Sequence, residues 1–244
     1  MNLFGDAFAW IVSHWTTGTN VSGHVLEHLA VSGLCVLIAV AIALPVGVAI
    51  GHTGKGRGAA ILISNVARAL PTLGLLSILI LLTGVGLLPI AIVLVVLAIP
   101  PMLAGAYAGV ESVDRQTIDA VRALGMTEWQ IITRVEIPLA LPLLIGGLRA
   151  TALQVIATLG IASAFAFGGL GIYLINGVNT GDYIQLLAGA ILITALALVV
   201  DGVLAIAQRF VVPRGVALGR TDQNGPPNRT RAPRPRALQE GMQS

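Results

Sequence analysis

The sequence predicts an all-α polytopic membrane protein with about five transmembrane helices. Hydrophobic residues make up 56% of its 244 residues, charged residues make up 10%, and the mean hydropathy is +0.90. Soluble domains carry roughly a quarter charged residues, so this composition excludes an ordinary soluble enzyme or binding domain. A membrane-spanning helix needs about 20 apolar residues. The stretches that satisfy this length are 29–50, 59–82, 87–109, 143–165 and 184–207.

The distribution of basic residues predicts the orientation of these spans. Twelve of the fourteen Lys and Arg residues lie in the connections 51–58 and 110–142 or at the end of the chain from Arg209, and Arg68 and Arg149 lie inside spans near their basic ends. The connections 83–86 and 166–183 contain none, and neither do the first 26 residues. Because short cytoplasmic loops are enriched in Lys and Arg, we expect the N-terminus outside the cell and the C-terminus in the cytoplasm.

Three regions follow from this topology. Residues 1–26 form an extracytoplasmic segment, in which an apolar stripe over residues 2–15 predicts a helix lying in the membrane interface; a disordered terminus is the alternative. Residues 27–213 form the transmembrane domain. Residues 214–244 are rich in Arg, Pro, Gly and Gln and poor in apolar residues, which predicts a disordered basic tail held near anionic membrane lipid.

The connection 110–142 is the longest polar stretch between two spans, and its spacing predicts a helix, a break and a second helix. Asp114 is placed to cap the first helix, and Gly125 stands where that helix must end. Thr127 and Gln130 have the spacing of a capping box at the start of the second helix.

Apolar and proline residues complete this pattern. Met126 and Ile131 are spaced as a hydrophobic staple around the capping box. Pro138 and Pro142 are expected to close the segment before the next span, because proline disfavours a helical conformation in the residue before it. The whole connection is therefore expected to present a short, rigid helix outside the membrane.

These residues resemble the cytoplasmic loop of ABC-importer permeases, which reads E-A-A, then Gly four residues on, then I-x-L-P. The chain has D-A-V for E-A-A, the glycine, and V-E-I-P for I-x-L-P. The stretches LGMTEWQ and VEIPLALPLLIGGLR are similar to those of permeases in the osmoprotectant branch of this family. The resemblance implies a type I ABC importer transmembrane-domain fold and a bacterial cell-membrane location. It also implies that an ATPase subunit binds this coupling loop (residues 110–142). The residues it places in ATPase coupling are Asp119, Ala120, Val121, Arg122, Leu124, Gly125, Met126, Thr127, Gln130 and Pro138.

The chain contains no nucleotide site of its own. The stretch GHTGKGRG has Gly56 where a phosphate-binding loop needs Ser or Thr after the lysine. We therefore expect no bound cofactor and no metal, with ATP and Mg bound by the partner ATPase. The other partners implied by the resemblance are a second permease copy or a homologous permease, an extracytoplasmic substrate-binding protein, and membrane lipid. No feature indicates binding to nucleic acid.

Polar residues in or near the spans are candidates for the translocation pathway. Asn65, Arg68 and Pro71 lie in the second predicted span, where a charged side chain is costly unless it reaches water or a partner. Snorkelling of Arg68 to the membrane surface is an equal alternative. Tyr173 and Asn176 lie in the connection 166–183, which is expected to form a re-entrant or gate-like segment at the outer mouth.

Two further charged residues lie inside predicted spans. Asp201 is deep in the fifth span, and Arg149 lies at a similar depth in the fourth. We expect them to form a structural ion pair, in preference to a proton relay, because a proton-coupled carrier would more often show several membrane carboxylates.

The resemblance implies a permease subunit of an ATP-driven importer for compatible solutes such as glycine betaine, carnitine, choline and proline betaine. Within the same class, a permease for methionine or another amino acid is the alternative. A secondary carrier that needs no ATPase is the alternative from a different class. The sequence lacks the internal repeats common in such carriers, which favours the importer.

Overall fold

The computed structural model describes residues 2–16, 20–165 and 168–211. All regular secondary structure in these residues is helical, which confirms the predicted class, while the predicted basic tail lies outside the described residues. The helices are α1 (Leu3–Ser13), α2 (Val21–Thr53), α3 (Arg57–Ala69), α4 (Thr72–Thr83), α5 (Leu87–Glu111), α6 (Arg115–Ala123), α7 (Glu128–Ile131), α8 (Ile137–Ala162), α9 (Gly171–Thr180) and α10 (Tyr183–Val211).

Four continuous helices in the described residues are long and apolar enough to cross a membrane. They are α2, α5, α10 and the 35-residue helix Glu128–Ala162, in which the π turn Ile132–Glu136 joins α7 to α8. The spans predicted at 29–50, 87–109, 143–165 and 184–207 fall on these helices. The helices extend beyond their apolar runs at one or both ends, except that α8 ends at Ala162 and Ser163–Phe165 of the fourth run form a 3-10 turn.

The second predicted span, 59–82, is a broken pair of helices and not one straight helix. α3 and α4 meet at an angle of 85°. Leu70 and Pro71 at the break have extended backbone conformations, with ψ of 128° and 116°. Proline disfavours a helical conformation in the residue before it, so the chain makes a sharp corner at Pro71. With this pair counted as one span, the described residues hold up to five spans.

The centre of the bundle is formed by α2, α5 and α8, which approach each other at small residues. A Cβ atom added to Gly105 of α5 would lie 2.6 Å from Cα of Gly147 in α8. One added to Gly47 of α2 would lie 2.5 Å from Cβ of Ala106. Small residues allow such close helix contact in lipid, where the hydrophobic effect does not drive helix association. Gly147 therefore makes the helix contact, whereas its neighbour Gly146 faces open space.

At the end of the bundle near the N-terminus, α1 and α9 pack against α10. Ala7 and Ile11 of α1 are buried in a cluster with Leu170, Tyr173 and further apolar residues of α9 and α10. The predicted N-terminal helix is therefore present, and its place in the membrane interface stays a prediction. α9 has ten residues and is too short to span a membrane, so the connection 166–183 contains a short helix between the fourth and fifth spans.

Two side chains at the start of α2 hold the segment that leads into α9. Nε2 of His28 lies 3.0 Å from the Ile156 carbonyl oxygen, and Nδ1 of His28 accepts a hydrogen bond from the Leu170 N–H at 3.3 Å. Glu27 accepts a hydrogen bond from the Gly169 N–H at 2.7 Å. These partners assign a neutral imidazole that carries its proton on Nε2.

Candidate functional site

The coupling loop has the predicted helix-break-helix structure. Asp114 caps α6 by accepting a hydrogen bond from the Gln116 N–H at 3.0 Å. Gly125 follows α6 with φ of +85°, a left-handed conformation that favours glycine. At the start of α7, the Thr127 N–H donates to Oε1 of Gln130 at 2.9 Å, and the Gln130 N–H donates to Oγ1 of Thr127 at 3.4 Å. The loop is therefore rigid at both helix ends.

An apolar cluster of its own supports this loop. Val113, Ile118 and Ile131 are buried in it, and Met126 packs against it, as expected for a hydrophobic staple. Because α6 and α7 share this cluster, the two short helices hold one fixed arrangement.

Pro138 and Pro142 do not close the loop, in contrast to the expectation. Both lie in α8, which continues from α7 through the π turn without a break. Within this turn the Ile137 N–H donates to the Ile132 carbonyl five residues earlier. A proline clashes with the carbonyl four residues before it in a regular α-helix, and the wider π turn provides the room for Pro138. α7 is therefore a direct extension of the fourth span.

The charged residues of the loop connect α6 to α7. Arg122 makes a bidentate contact with Glu128, with Nε and Nη2 at 2.8 and 3.0 Å from the two carboxylate oxygens. Its Nη1 also lies 3.2 Å from Asp119. The hydrogen bonds that Arg122 donates to Glu128 raise the pKa of Arg122 above its usual range. Arg122 therefore stays charged and pairs with neighbours within the loop.

The outer face of the loop is open. Leu124 is 83% exposed and Trp129 is 73% exposed, although both side chains are large and apolar. Asp119, Ala120 and Gly125 are exposed beside them. Exposed apolar side chains surrounded by charged residues are typical of a protein-binding surface.

Three residues of this site were not among the predicted ones: Trp129, Glu128 and His52. Trp129 could have been predicted from its position, because a tryptophan in a polar loop lies outside the membrane, where a large apolar side chain suggests contact with another protein. Glu128 and His52 gave no local signal, since His52 belongs to α2 and meets Glu128 and Glu136 through the fold. Helix-end spacing does not encode such contacts.

The pathway candidates lie in two separate places. Asn65, Arg68 and Pro71 are exposed along the broken span, on α3 and at its corner with α4. Asn176 is exposed on α9. Tyr173 differs from the expected polar group at the outer mouth, because it is 1% exposed and its ring packs 5.3 Å from that of Trp10. α9 packs against its neighbouring helices, and the large apolar surface of an aromatic side chain there favours burial.

Arg149 and Asp201 contact each other, as the ion-pair hypothesis expects. Nε and Nη2 of Arg149 donate to the two carboxylate oxygens of Asp201, both at 2.8 Å. Gln208 accepts a further hydrogen bond from Arg149 at 3.3 Å and donates to the Pro142 carbonyl at 3.2 Å. Bidentate Arg–carboxylate geometry is the strong form of this contact, and it joins α8 to α10.

A cavity of about 220 Å³ lies between α2, α5 and α8. Its lining is aliphatic except for Met102. A cation such as a quaternary ammonium is held best by aromatic faces, and none of the residues lining this cavity is aromatic. The cavity therefore has no group suited to selecting such a solute.

Comparison with known proteins places this geometry in a family. Residues 40–214 match the family described as the binding-protein-dependent transport system inner membrane component. The chain is 36% identical over 190 residues to a glycine betaine/carnitine/choline transport system permease protein of Bacillus subtilis, covering 78% of this chain and 88% of the relative. It is 31% identical over 195 residues to an osmoprotectant import permease protein of Salmonella typhimurium, covering 78% and 91%.

A solved structure has the same fold. It is an inward-facing conformation of the MetNI methionine ABC transporter, with a TM-score of 0.70 and 25% identity over 79% of this chain and 96% of the other. This confirms the predicted type I ABC importer transmembrane-domain fold. Members of this family are membrane transport subunits, and a separate ATPase hydrolyses the ATP. The chain therefore belongs to the binding-protein-dependent transport system inner membrane component family, as a multi-pass permease subunit of an ABC transporter.

Proposed function

We propose that this chain is the permease subunit of an ATP-driven importer for compatible solutes, with glycine betaine, carnitine, choline and proline betaine as the substrate class. The observation that carries the substrate class is the 36% identity to the Bacillus subtilis permease named for the first three of these solutes. The similarity to the Salmonella typhimurium osmoprotectant permease supports the same class.

The coupling loop is the part of the chain that receives the ATPase. Its exposed apolar residues, its two capped helix ends and its internal ion pairs make a rigid surface that can fill a groove. Nucleotide binding draws two ATPase subunits together, and the loop passes that movement to the bundle. The residues we assign to this role are Asp119, Ala120, Val121, Arg122, Leu124, Gly125, Met126, Thr127 and Gln130, with Pro138 fixing the path of α8 behind them.

This function requires the orientation that the basic residues favour. The coupling loop and the C-terminal tail lie in the cytoplasm, and α1 lies at the outer membrane surface. ATP is cytoplasmic, so the loop and the ATPase are then on the same side of the membrane.

The importer needs further subunits. Five spans are too few to enclose a pathway, so we infer that a second permease, either a copy or a homologue, completes it. Asn65, Arg68 and Asn176 are exposed in the single chain and are our candidates for lining that shared path. The aliphatic lining of the cavity supports a separate extracytoplasmic binding protein as the subunit that selects the solute.

A permease for methionine is the second candidate. The observation that favours it is the structural similarity to the methionine transporter at a TM-score of 0.70. The identity to that structure is 25%, lower than the 36% to the glycine betaine/carnitine/choline permease, so compatible solutes remain the stronger proposal.

Uptake of radiolabelled glycine betaine at high osmolarity tests the proposal, in cells that also express the ATPase and the binding protein. We expect wild-type uptake and its loss in Gly125→Pro at equal membrane level, because proline cannot adopt the φ of +85° at this position. Gly146→Ala is the matched control, since Gly146 lies in α8 with open space around it, and it should transport normally.

Each result has one meaning. Methionine uptake without glycine betaine uptake in the wild type would reject the compatible-solute class and support the second candidate. Normal glycine betaine uptake in Gly125→Pro would reject the coupling role of this loop.

A further inference from the structure

His52, in the last turn of α2, places both ring nitrogens against carboxylates of the coupling loop. Its Nδ1 lies 2.7 Å from Oε2 of Glu136, and its Nε2 lies 3.2 Å from Oε2 of Glu128. The His52 side chain is 13% exposed, so the ring itself is largely shielded from water. A neutral imidazole carries one N–H group, so both nitrogens donate together only when the ring holds two protons.

The contact with Glu136 fixes the ring in place. Glu136 lies in the π turn before α8, and it is 1% exposed. A buried carboxylate is costly unless it is paired, and His52 is the hydrogen-bond partner of Glu136 in the part of the chain that the structure describes. This first contact therefore has a structural role, which is to satisfy a buried charge.

The contact with Glu128 connects three helices. Oε2 of Glu128 accepts a hydrogen bond from Nη2 of Arg122 at 3.0 Å and lies 3.2 Å from Nε2 of His52. Arg122 belongs to α6, Glu128 opens α7, and His52 ends α2. Glu128 is 54% exposed at its side chain, so this second contact is not needed to satisfy a buried charge.

We propose that His52 is a positioning residue for energy coupling, which carries displacement of the coupling loop into α2 through its contact with Glu128. α7 is continuous with α8, so movement of the loop reaches α8 directly through the backbone. α2 has no direct backbone connection to the loop and meets it through side chains. Val48 packs with Ile132 and Ile137 in an apolar cluster, and His52 adds the polar contact with Glu128. α5 leads directly into the loop and holds α2 in close contact at Gly47 and Gly51, so the His52–Glu128 contact adds to the movement that α2 receives through α5.

This inference rests on the proposed function, in which an ATPase drives the coupling loop. It adds a residue outside the loop and predicts which step depends on it. Without the Glu128 contact, ATP hydrolysis continues but less of each loop movement reaches the bundle. The quantity that falls is solute transported per ATP hydrolysed.

Two substitutions separate the two contacts of the ring. In His52→Asn, the amide nitrogen takes the place of Nδ1, so the hydrogen bond to Glu136 is kept and the Glu128 contact is lost. In His52→Gln, the amide nitrogen reaches the place of Nε2, so the Glu128 contact is kept. Mutation of Glu128 itself is less suitable, because it also removes the partner of Arg122.

The experiment uses the full permease reconstituted in lipid vesicles with its ATPase and binding protein. Glycine betaine uptake and ATP hydrolysis are measured together. We expect His52→Asn to assemble in a normal amount. Its ratio of uptake to hydrolysis should be about fivefold lower than that of the wild type, which is the lower end of usual coupling effects. His52→Gln should assemble less well, with a ratio close to wild type. His14→Asn, the same change at the end of α1, is the control and should match wild type.

A wild-type ratio in His52→Asn would overturn the inference and leave the proposed function standing. If the wild type fails to transport glycine betaine, the proposed substrate fails, and a second measurement decides on His52. Thr53→Cys, next to His52 on α2 and exposed, is labelled with a membrane-impermeant maleimide, with and without ATP and vanadate. A nucleotide-dependent labelling rate that disappears with His52→Asn supports the inference, and one that persists overturns it.

Discussion

Trp129 is a single residue on which binding of a partner to the coupling loop can be tested. Its side chain is 73% exposed on α7 and makes no part of the apolar cluster beneath the loop. Tryptophan is enriched among residues that dominate protein–protein binding energy, and such residues contribute about 2 kcal/mol or more.

We therefore expect Trp129→Ala to weaken association with the ATPase by about thirtyfold in Kd, which corresponds to that free energy. The permease itself should fold normally, because the side chain supports no internal contact in the cluster. Affinity for the purified ATPase, measured with the permease in detergent, checks this. Trp15→Ala is the control, since Trp15 is half-exposed after α1, away from the loop. An unchanged Kd for Trp129→Ala would exclude this face as the docking surface.

Individual residues also separate what the sequence could predict from what it could not. The capping box of Thr127 and Gln130 was predictable because its partners lie three residues apart and the backbone brings them together. The hydrogen bond between His52 and Glu136 joins positions 84 residues apart. The sequence around each residue contains no information about the other, and only the packing of α2 against the coupling loop creates the contact.

At the scale of the helices, the packing of the bundle depends on the short distance at which α5 and α8 cross. Gly105 and Gly147 face each other at backbone distance, and a Cβ on Gly147 would lie 2.9 Å from Cα of Gly105. Real Cβ atoms do not approach so near to backbone atoms, so the helices must separate to accept one. Gly146 precedes Gly147 in the same helix but has no neighbour within 4 Å of an added Cβ.

Alanine at the neighbouring positions Gly146 and Gly147 should change stability in opposite directions. We expect Gly147→Ala to lower stability by about 1–3 kcal/mol, the usual cost of overpacking. Gly146→Ala should raise it by about 0.4–1 kcal/mol, since alanine restricts the unfolded chain and fits the helix. Thermal unfolding of the two purified variants in the same detergent measures both changes. Equal melting temperatures would show that the crossing does not depend on the glycine contact.

At this scale the sequence predicted helix positions better than helix geometry. In the described residues the apolar runs located the four continuous spans and the broken pair, because length and hydrophobicity are local properties. Two prolines then had different outcomes. Pro71 marks a corner of 85°, whereas Pro138 lies within a continuous helix because the π turn before it makes room. The sequence could not distinguish them, since the difference depends on the backbone hydrogen bonds of neighbouring residues.

The whole molecule has an uneven distribution of burial that fits one half of a larger pathway. In its most apolar window α5 is 50% buried, whereas α10 is 6% buried. A helix exposed to this degree contacts lipid or another subunit, and the exposed polar residues of α3 require a partner or water. This exposure supports our proposal that a second permease completes the pathway.

The orientation of the whole molecule is the condition on which the coupling proposal depends. The single cysteine of the chain, Cys35, is buried, so we expect it to give no background labelling. Cysteines introduced at Lys55, Leu124 and Asn179 therefore report each connection separately. All three positions are exposed, on the α2–α3 connection, the coupling loop and α9.

We expect an impermeant maleimide added to intact cells to label Asn179→Cys alone. Lys55→Cys and Leu124→Cys should react only in inverted membrane vesicles, because basic connections stay in the cytoplasm. Gel shift of the labelled protein measures each reaction. Labelling of Leu124→Cys from outside the cell would show that the loop lies on the opposite side of the membrane from cytoplasmic ATP. The ATPase-coupling role of Asp119 to Gln130 would then fail, whatever solute the protein carries.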